Sequence, residues 1–167
     1  FTVMGNQDEF EVFLERFFKK LSKLYNFSFK KRETITGLKY LLTASLEVVD
    51  YKTFINLDFS FREEVLRPAR SVIVTEYPIV FTSFVNHLSA EEIVAEKVRA
   101  IMTRDKGRDI YDLWFLLGKN VVIDKKLVEE KLKYYQINKF DTEQLINRIV
   151  SFNREKFVLD LKPFVPI

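Results

Sequence analysis

The sequence predicts an α+β protein, a mixed β-sheet with flanking helices followed by a helical C-terminal part. Three observations carry this: an amphipathic run from Gln7 to Tyr25, a middle stretch of short alternating β-branched and aromatic segments, and four further helical patterns after Ser89. At 167 residues with 47% apolar content the chain can bury one sizeable core. The expected division is an α+β core over residues 1–88 with a helical region over 89–167 packed on it.

The elements follow in order. Phe1-Thr-Val-Met is an apolar run that stops at Gly5-Asn6, and it reads as the tail of a strand. Asn6 followed by Glu9 is a capping-box pattern, and Phe10, Phe13, Leu14, Phe17, Leu21 and Leu24 then recur at helical spacing. From Phe27 to Val85, runs broken by Gly37, Pro68 and Pro78 read as a meander of strands. The clearest strand is Thr53 to Arg62, with Ile55, Leu57, Phe59 and Phe61 on one face and Asn56, Asp58, Ser60 and Arg62 on the other. Ser89 and Glu92 form a second capping box, opening a helix to Thr103. Gly107 breaks that pattern before a helix over 108–117. Asp124 and Asp141 are N-caps for helices over 125–134 and 142–152, and the last residues, with Pro163 and Pro166, are expected to be irregular.

Composition narrows the function. Cysteine is absent, which removes a disulfide framework, a thiolate metal site and a thiol nucleophile. There is no long uncharged apolar run and no apolar leader near the start, so a cytoplasmic protein with no membrane partner is expected. Charge is uneven. Between Arg16 and Lys39 eight Lys/Arg face the single acid Glu33, a net +7 that leaves −4 for the rest of a chain whose total is +3. Lys19, Lys20, Lys30, Lys31 and Arg32, interleaved with Phe and Tyr, are therefore candidates for nucleic-acid binding. The plainer explanation is a solvated helix face and a strand edge blunted by lysine.

Candidate chemistry concentrates in the helix pair from Ser89 to Leu117. Lys97 falls near the middle of an apolar arc formed by Ala90, Ile93, Val94, Ala100 and Ile101, so its ammonium must either snorkel to water or meet an anion. Asp109 suits the positive N-terminus of the next helix, and Asp112 can pair with Arg108 one turn before it. Asp112 nevertheless lies beside Trp114 and Leu116, where a carboxylate needs a partner. Asp58 stands on the polar face of its strand and would need further carboxylates nearby to hold a metal ion. His87, the one histidine, is expected to be structural. No Ser-His-Asp set, Gly-rich phosphate loop or His-based metal site is present.

Taken together, Glu91-Glu-Ile-Val-Ala-Glu96-Lys97-Val-Arg-Ala100, then Arg104, then Arg108-Asp109-Ile-Tyr-Asp112-Leu resembles the nucleotidyltransferase AbiEii/AbiGii toxin family, in which a Glu-Lys helix precedes an Arg-Asp-x-Tyr-Asp helix. Ile55-Asn-Leu-Asp58-Phe-Ser-Phe-Arg62-Glu63 is similar to that family's strand with its third acidic residue, and the resemblance covers residues 38–117 best. It implies a polymerase-beta-like nucleotidyltransferase core, partial over 1–88. It also implies transfer of NMP from an NTP, with Mg or Mn, to an acceptor such as tRNA or another nucleic acid, in an abortive-infection or toxin–antitoxin setting with a cognate antitoxin. By the same resemblance Asp58 is the third acid and a metal ligand or base, Lys97 contacts nucleotide phosphate, and Asp112, with Asp109 as second choice, is the acid of the last motif. Arg62, Arg104 and Arg108 assist with phosphates. The family's Gly-Gly or Gly-Ser turn followed by an Asp-x-Asp or Asp-x-Glu pair does not occur in this sequence. Phe1-Thr-Val would then continue that acidic strand, and a chain without the acidic pair is expected to be inactive. The alternative is a non-catalytic nucleotide- or RNA-binding module, or an inactive paralogue acting through a partner.

Overall fold

The computed structural model describes residues 1–45, 51–78, 80 and 82–165. The part of the expected meander over 46–50, and Pro166, lie outside the described residues. The chain forms two compact units, Phe1–Glu64 and Val65–Ile167. The sequence places the division at residue 88, whereas by contacts the segment 65–88 goes with the helices.

In the first unit, α1 (Gln7–Leu24) begins where the Asn6 side chain accepts the N–H groups of Asp8 at 2.8 Å and Glu9 at 3.2 Å. Three antiparallel strands follow, β1 (Phe27–Arg32), β2 (Leu38–Ser45) and β3 (Lys52–Phe59), in the order β1-β2-β3. Leu14 and Phe18 of α1 bury against Leu38 and Tyr40 of the central strand, with Leu57, Phe59 and Phe61 around them. Phe18 stacks on Phe29 with ring centroids 4.0 Å apart. Ile55, assigned to the core face by alternation, is instead 50% exposed, because that cluster extends to Leu57, Phe59 and Phe61 and does not include it. Gly37 has φ 72°, and a Cβ there would lie 2.1 Å from the Phe59 carbonyl oxygen, so only glycine lets the chain enter β2 this close to β3. Thr2 forms a parallel bridge to Ser60, which bears out the strand character of the opening residues.

The second unit opens with an antiparallel hairpin of β4 (Pro68–Val72) and β5 (Phe84–Leu88). Five helices follow: α2 (Ala90–Thr103), α3 (Gly107–Gly118), α4 (Lys125–Lys133), α5 (Thr142–Val150) and α6 (Arg154–Leu161). The first four agree with the periodicity to within one or two residues, and Asp124 and Asp141 cap α4 and α5. α6 has no clear periodic signal in the sequence; its Asn153 cap and the burial of Leu161 hold it. Gly107 is the first residue of α3 rather than a simple breaker. A Cβ there would lie 2.9 Å from the Phe157 backbone, so it permits close contact between α3 and α6.

α2 is the central helix, packed by α3, α4 and α5, with Val94, Val98 and Ile101 buried against Leu113, Val128 and Leu132. It also buries charge. The Glu92 side chain is fully inaccessible, accepting the N–H groups of Leu66 at 2.8 Å and Arg67 at 2.6 Å and pairing with Lys131 of α4 at 2.5 Å. Lys131 reaches Glu96 at 2.9 Å, and Glu96 pairs with Arg99 at 2.6 Å. The expected capping box is therefore half formed. Ser89 Oγ accepts the Glu92 N–H, but the Ser89 N–H donates to the Arg67 carbonyl at 2.9 Å, which frees the Glu92 carboxylate to fasten β4 to α2.

Burial raises the Glu92 carboxyl, and the Leu66 amide, Lys131 and the Arg67 amide more than reverse this, so it lies below the ordinary range. Burial likewise raises Glu96, and Arg99 and Lys131 bring it below normal. Burial lowers Lys131, and the two glutamates lift it above normal. Removing the cation strands two carboxylates, so Lys131→Met is expected to cost about 3–5 kcal/mol in urea denaturation, and a loss below about 1 kcal/mol would mean that water replaces it. The depressed glutamates give stability that is complete above their unfolded pKa, about 4.3, and lost as pH falls through their lower folded values. Denaturation between about pH 6 and pH 3 should show this acid-side fall in the parent and a flattened or inverted one in Lys131→Met.

Candidate functional site

α2 carries Lys97, its extended C-cap residue is Arg104, and α3 places Asp109 and Asp112 three residues apart, one turn. The turn between the helices brings all four together. Arg104 grips Asp109 with two bonds, Nε to Oδ2 at 2.8 Å and Nη2 to Oδ1 at 3.0 Å. Lys97 Nζ lies 3.2 Å from Asp109 Oδ1 and 2.6 Å from Asp112 Oδ2. The sequence reading of Lys97 as a cation that must meet an anion is thus realised with two anions.

Accessibility divides the cluster. The Asp109 side chain is 0% exposed, Lys97 25% and Asp112 41%. Burial raises the Asp109 carboxyl, and the Arg104 bond and charge together with Lys97 more than offset it, leaving it below the ordinary aspartate range. The favourable helix-terminus position expected for Asp109 is a minor part of its surroundings; it is the buried anchor of two cations. The expected Arg108–Asp112 pair does not form, because Asp112 bonds Lys97 and Arg108 turns outward, without an ion-pair partner among the described residues.

A lysine ammonium has three N–H groups and a carboxylate two oxygens. Two of the Lys97 donors are used, and the third has no partner among the described residues. Asp112 Oδ2 is engaged and its Oδ1 has no partner among the described residues. One free donor beside one free acceptor, both reaching solvent, is what the arrangement offers chemically. Asp109 has neither: both its oxygens are held and it stays ionised.

The other expected residues lie in the first unit. Asp58 and Lys39 are register partners on β3 and β2, and their side chains pair at 3.2 Å. Arg32 is the register partner of Lys39 on β1, so Arg32, Lys39 and Asp58 form a row on the sheet face away from α1. Lys30 shares that face by alternation, whereas Lys31 points to the α1 side and pairs with Glu11. Lys19 and Lys20 are exposed on α1, and Arg62 is exposed beyond β3. The basic strip is therefore divided between opposite faces of the sheet. His87 is structural in its contacts, with Nδ1 2.7 Å from the Leu88 carbonyl and Nε2 3.0 Å from Ser71 Oγ.

Among the described residues no group of three or more His, Cys, Asp or Glu gathers as a metal site would require. Asp58, exposed and paired with a lysine, does not by itself fit one. Sequence reasoning missed the Glu92–Lys131–Glu96 network that supports α2. The signal available was Glu92 and Glu96 at a four-residue spacing, hidden because Glu92 also completed a capping pattern.

No helix among the described residues is long and apolar enough to cross a membrane. Neither the curated proteins nor the solved structures give a match to this chain. The model of the nucleotidyl transferase AbiEii toxin family, type IV toxin–antitoxin system, matches residues 3–165 and so spans nearly the whole chain, including the α2–α3 cluster. This chain belongs to the AbiEii nucleotidyltransferase toxin family.

Proposed function

We propose that the protein is a nucleotidyltransferase-type toxin that transfers a nucleoside monophosphate from an NTP to a nucleic-acid acceptor such as tRNA, with the α2–α3 cluster holding two of the reacting groups. This chain, without the family's acidic pair, binds the NTP and transfers only in a form supplied with that pair. It would act in the cytoplasm, where NTPs and RNA are at hand, under the control of a cognate antitoxin. The observation that carries this is the free Lys97 donor beside the free Asp112 acceptor, both fixed through buried Asp109. Lys97 donates to a phosphate oxygen of the NTP, as a point charge does. Asp112 accepts the proton of the acceptor hydroxyl as its oxygen attacks the α-phosphorus. The bond to the acceptor oxygen forms, the bond to the β-phosphate oxygen breaks, and pyrophosphate leaves.

The family generally uses a divalent metal with the NTP. The described residues do not form a site for it; the roles proposed for this chain's own side chains are that Lys97 binds, Asp112 takes the proton, and Asp109 and Arg104 position. Arg108, exposed and without an ion-pair partner among the described residues, is the nearest additional cation in sequence for the triphosphate.

Lys97→Ala is expected to weaken NTP binding about tenfold or more, the scale of one charged hydrogen bond, with an unchanged circular dichroism spectrum because Arg104 still covers Asp109. In a form supplied with the acidic pair, Asp112→Asn should retain NTP affinity and abolish transfer of labelled NMP to RNA. Unchanged NTP affinity in Lys97→Ala would show the lysine to be purely a packing element. Lys97-dependent binding without any transfer even in a form supplied with the acidic pair would support the binding-module alternative.

A further inference from the structure

A polar cleft lies in the same unit, between the α2–α3 turn and the junction of α5 with α6. Asp105, Arg148, Ser151, Phe152, Asn153 and Lys156 line a volume of about 290 Å³. A small separate pocket shares Asp105, Arg148 and Phe152 with it and is lined also by Arg104, the residue that grips Asp109. The cleft therefore adjoins the Lys97 cluster without belonging to it.

Its groups suit one kind of ligand. Arg148 is fixed, with Nε donating to the Ile101 carbonyl at 2.7 Å and Nη2 to Asp105 at 3.0 Å, while Nη1 has no partner among the described residues. Lys156 has no carboxylate partner among the described residues; its ammonium lies 5.6 Å from the centroid of the Phe152 ring. Asp105 is 67% exposed and spends its charge on Arg148, so the cleft keeps a net positive balance. A preset guanidinium with a donor to spare, a weakly held ammonium, a serine hydroxyl and an aromatic wall match a phosphate joined to a flat base.

We propose that this cleft binds a nucleotide unit, its phosphate on Arg148 and Lys156 and its base along Phe152. When the phosphate enters, Lys156 swings off the ring and leaves that ring face for the base. The unit is either a nucleotide of the single-stranded acceptor or a free mononucleotide, which share this chemistry. The acceptor assignment rests on the function proposed above; the nucleotide site itself does not.

The test measures binding of a short fluorescein-labelled single-stranded RNA to the whole chain by anisotropy across a salt series, with a free mononucleotide as competitor. Lys156→Glu should weaken RNA binding about tenfold and lower the slope of log affinity against log salt by about one, the mark of one lost phosphate contact. Phe152→Leu should weaken it about tenfold with the slope unchanged, as loss of stacking does. Both should bind NTP as the parent does, because neither touches Lys97. If the mononucleotide displaces the RNA with an affinity equal to it, the site takes free nucleotide; if the RNA is strongly preferred, it takes the strand. RNA affinity and salt slope unchanged in both variants would overturn the proposal. Lys97→Ala read in parallel keeps the two claims apart, since its failure to affect NTP binding would sink the proposed function and leave this cleft standing.

Discussion

The candidate site depends on one buried carboxylate. Asp109 is fully inaccessible and ionised, a condition that would be costly were it not for the two-bond grip of Arg104 and the ammonium of Lys97. Because those cations come from α2 and its C-cap residue and the carboxylate from α3, the interaction fixes the mutual setting of the two helices. It also decides where Lys97 points. An unpaired lysine on that arc would snorkel to water; held from one side by Asp109, it presents its remaining donor next to Asp112.

α2 divides its charged work between two directions. Toward α4 it uses Glu92, Glu96 and Arg99 with Lys131, tying the helix to the start of the β4–β5 hairpin through the Leu66 and Arg67 amides. Toward α3 it uses Lys97, joined by its C-cap residue Arg104. Between them Val94, Val98 and Ile101 pack as an apolar seam. The first network is closed to solvent and has the character of a brace, whereas the second opens at Lys97 and Asp112. The contrast in accessibility, more than the number of charges, separates a support from a site.

The helix boundaries were legible because caps and periodicity agreed. Asn6, Ser89, Asp124 and Asp141 each accept the amides their positions imply. The meeting of Lys97 with a carboxylate was legible too, as a lysine inside an apolar arc has few alternatives. Which carboxylate lay deepest was not, since one-turn spacing puts Asp109 and Asp112 on one side of α3 and only the packing of α2 tells inside from outside. α6 was invisible because its apolar residues form no clear stripe, and its place depends on the missing Cβ of Gly107, a contact remote in sequence. The split of Lys30 from Lys31 across the sheet follows from strand alternation once β1 is known, and a reading by composition alone merges them.

The central claim is that Asp109 acts through Lys97. A double-mutant cycle on NTP affinity, with Lys97→Ala, Asp109→Asn and the pair, measures it most directly, each variant being first checked for cooperative unfolding. The account predicts that Asp109→Asn weakens binding only while Lys97 is present, giving a coupling of about 1 kcal/mol or more. Additive losses, with Asp109→Asn just as harmful when Lys97 is already alanine, would contradict it.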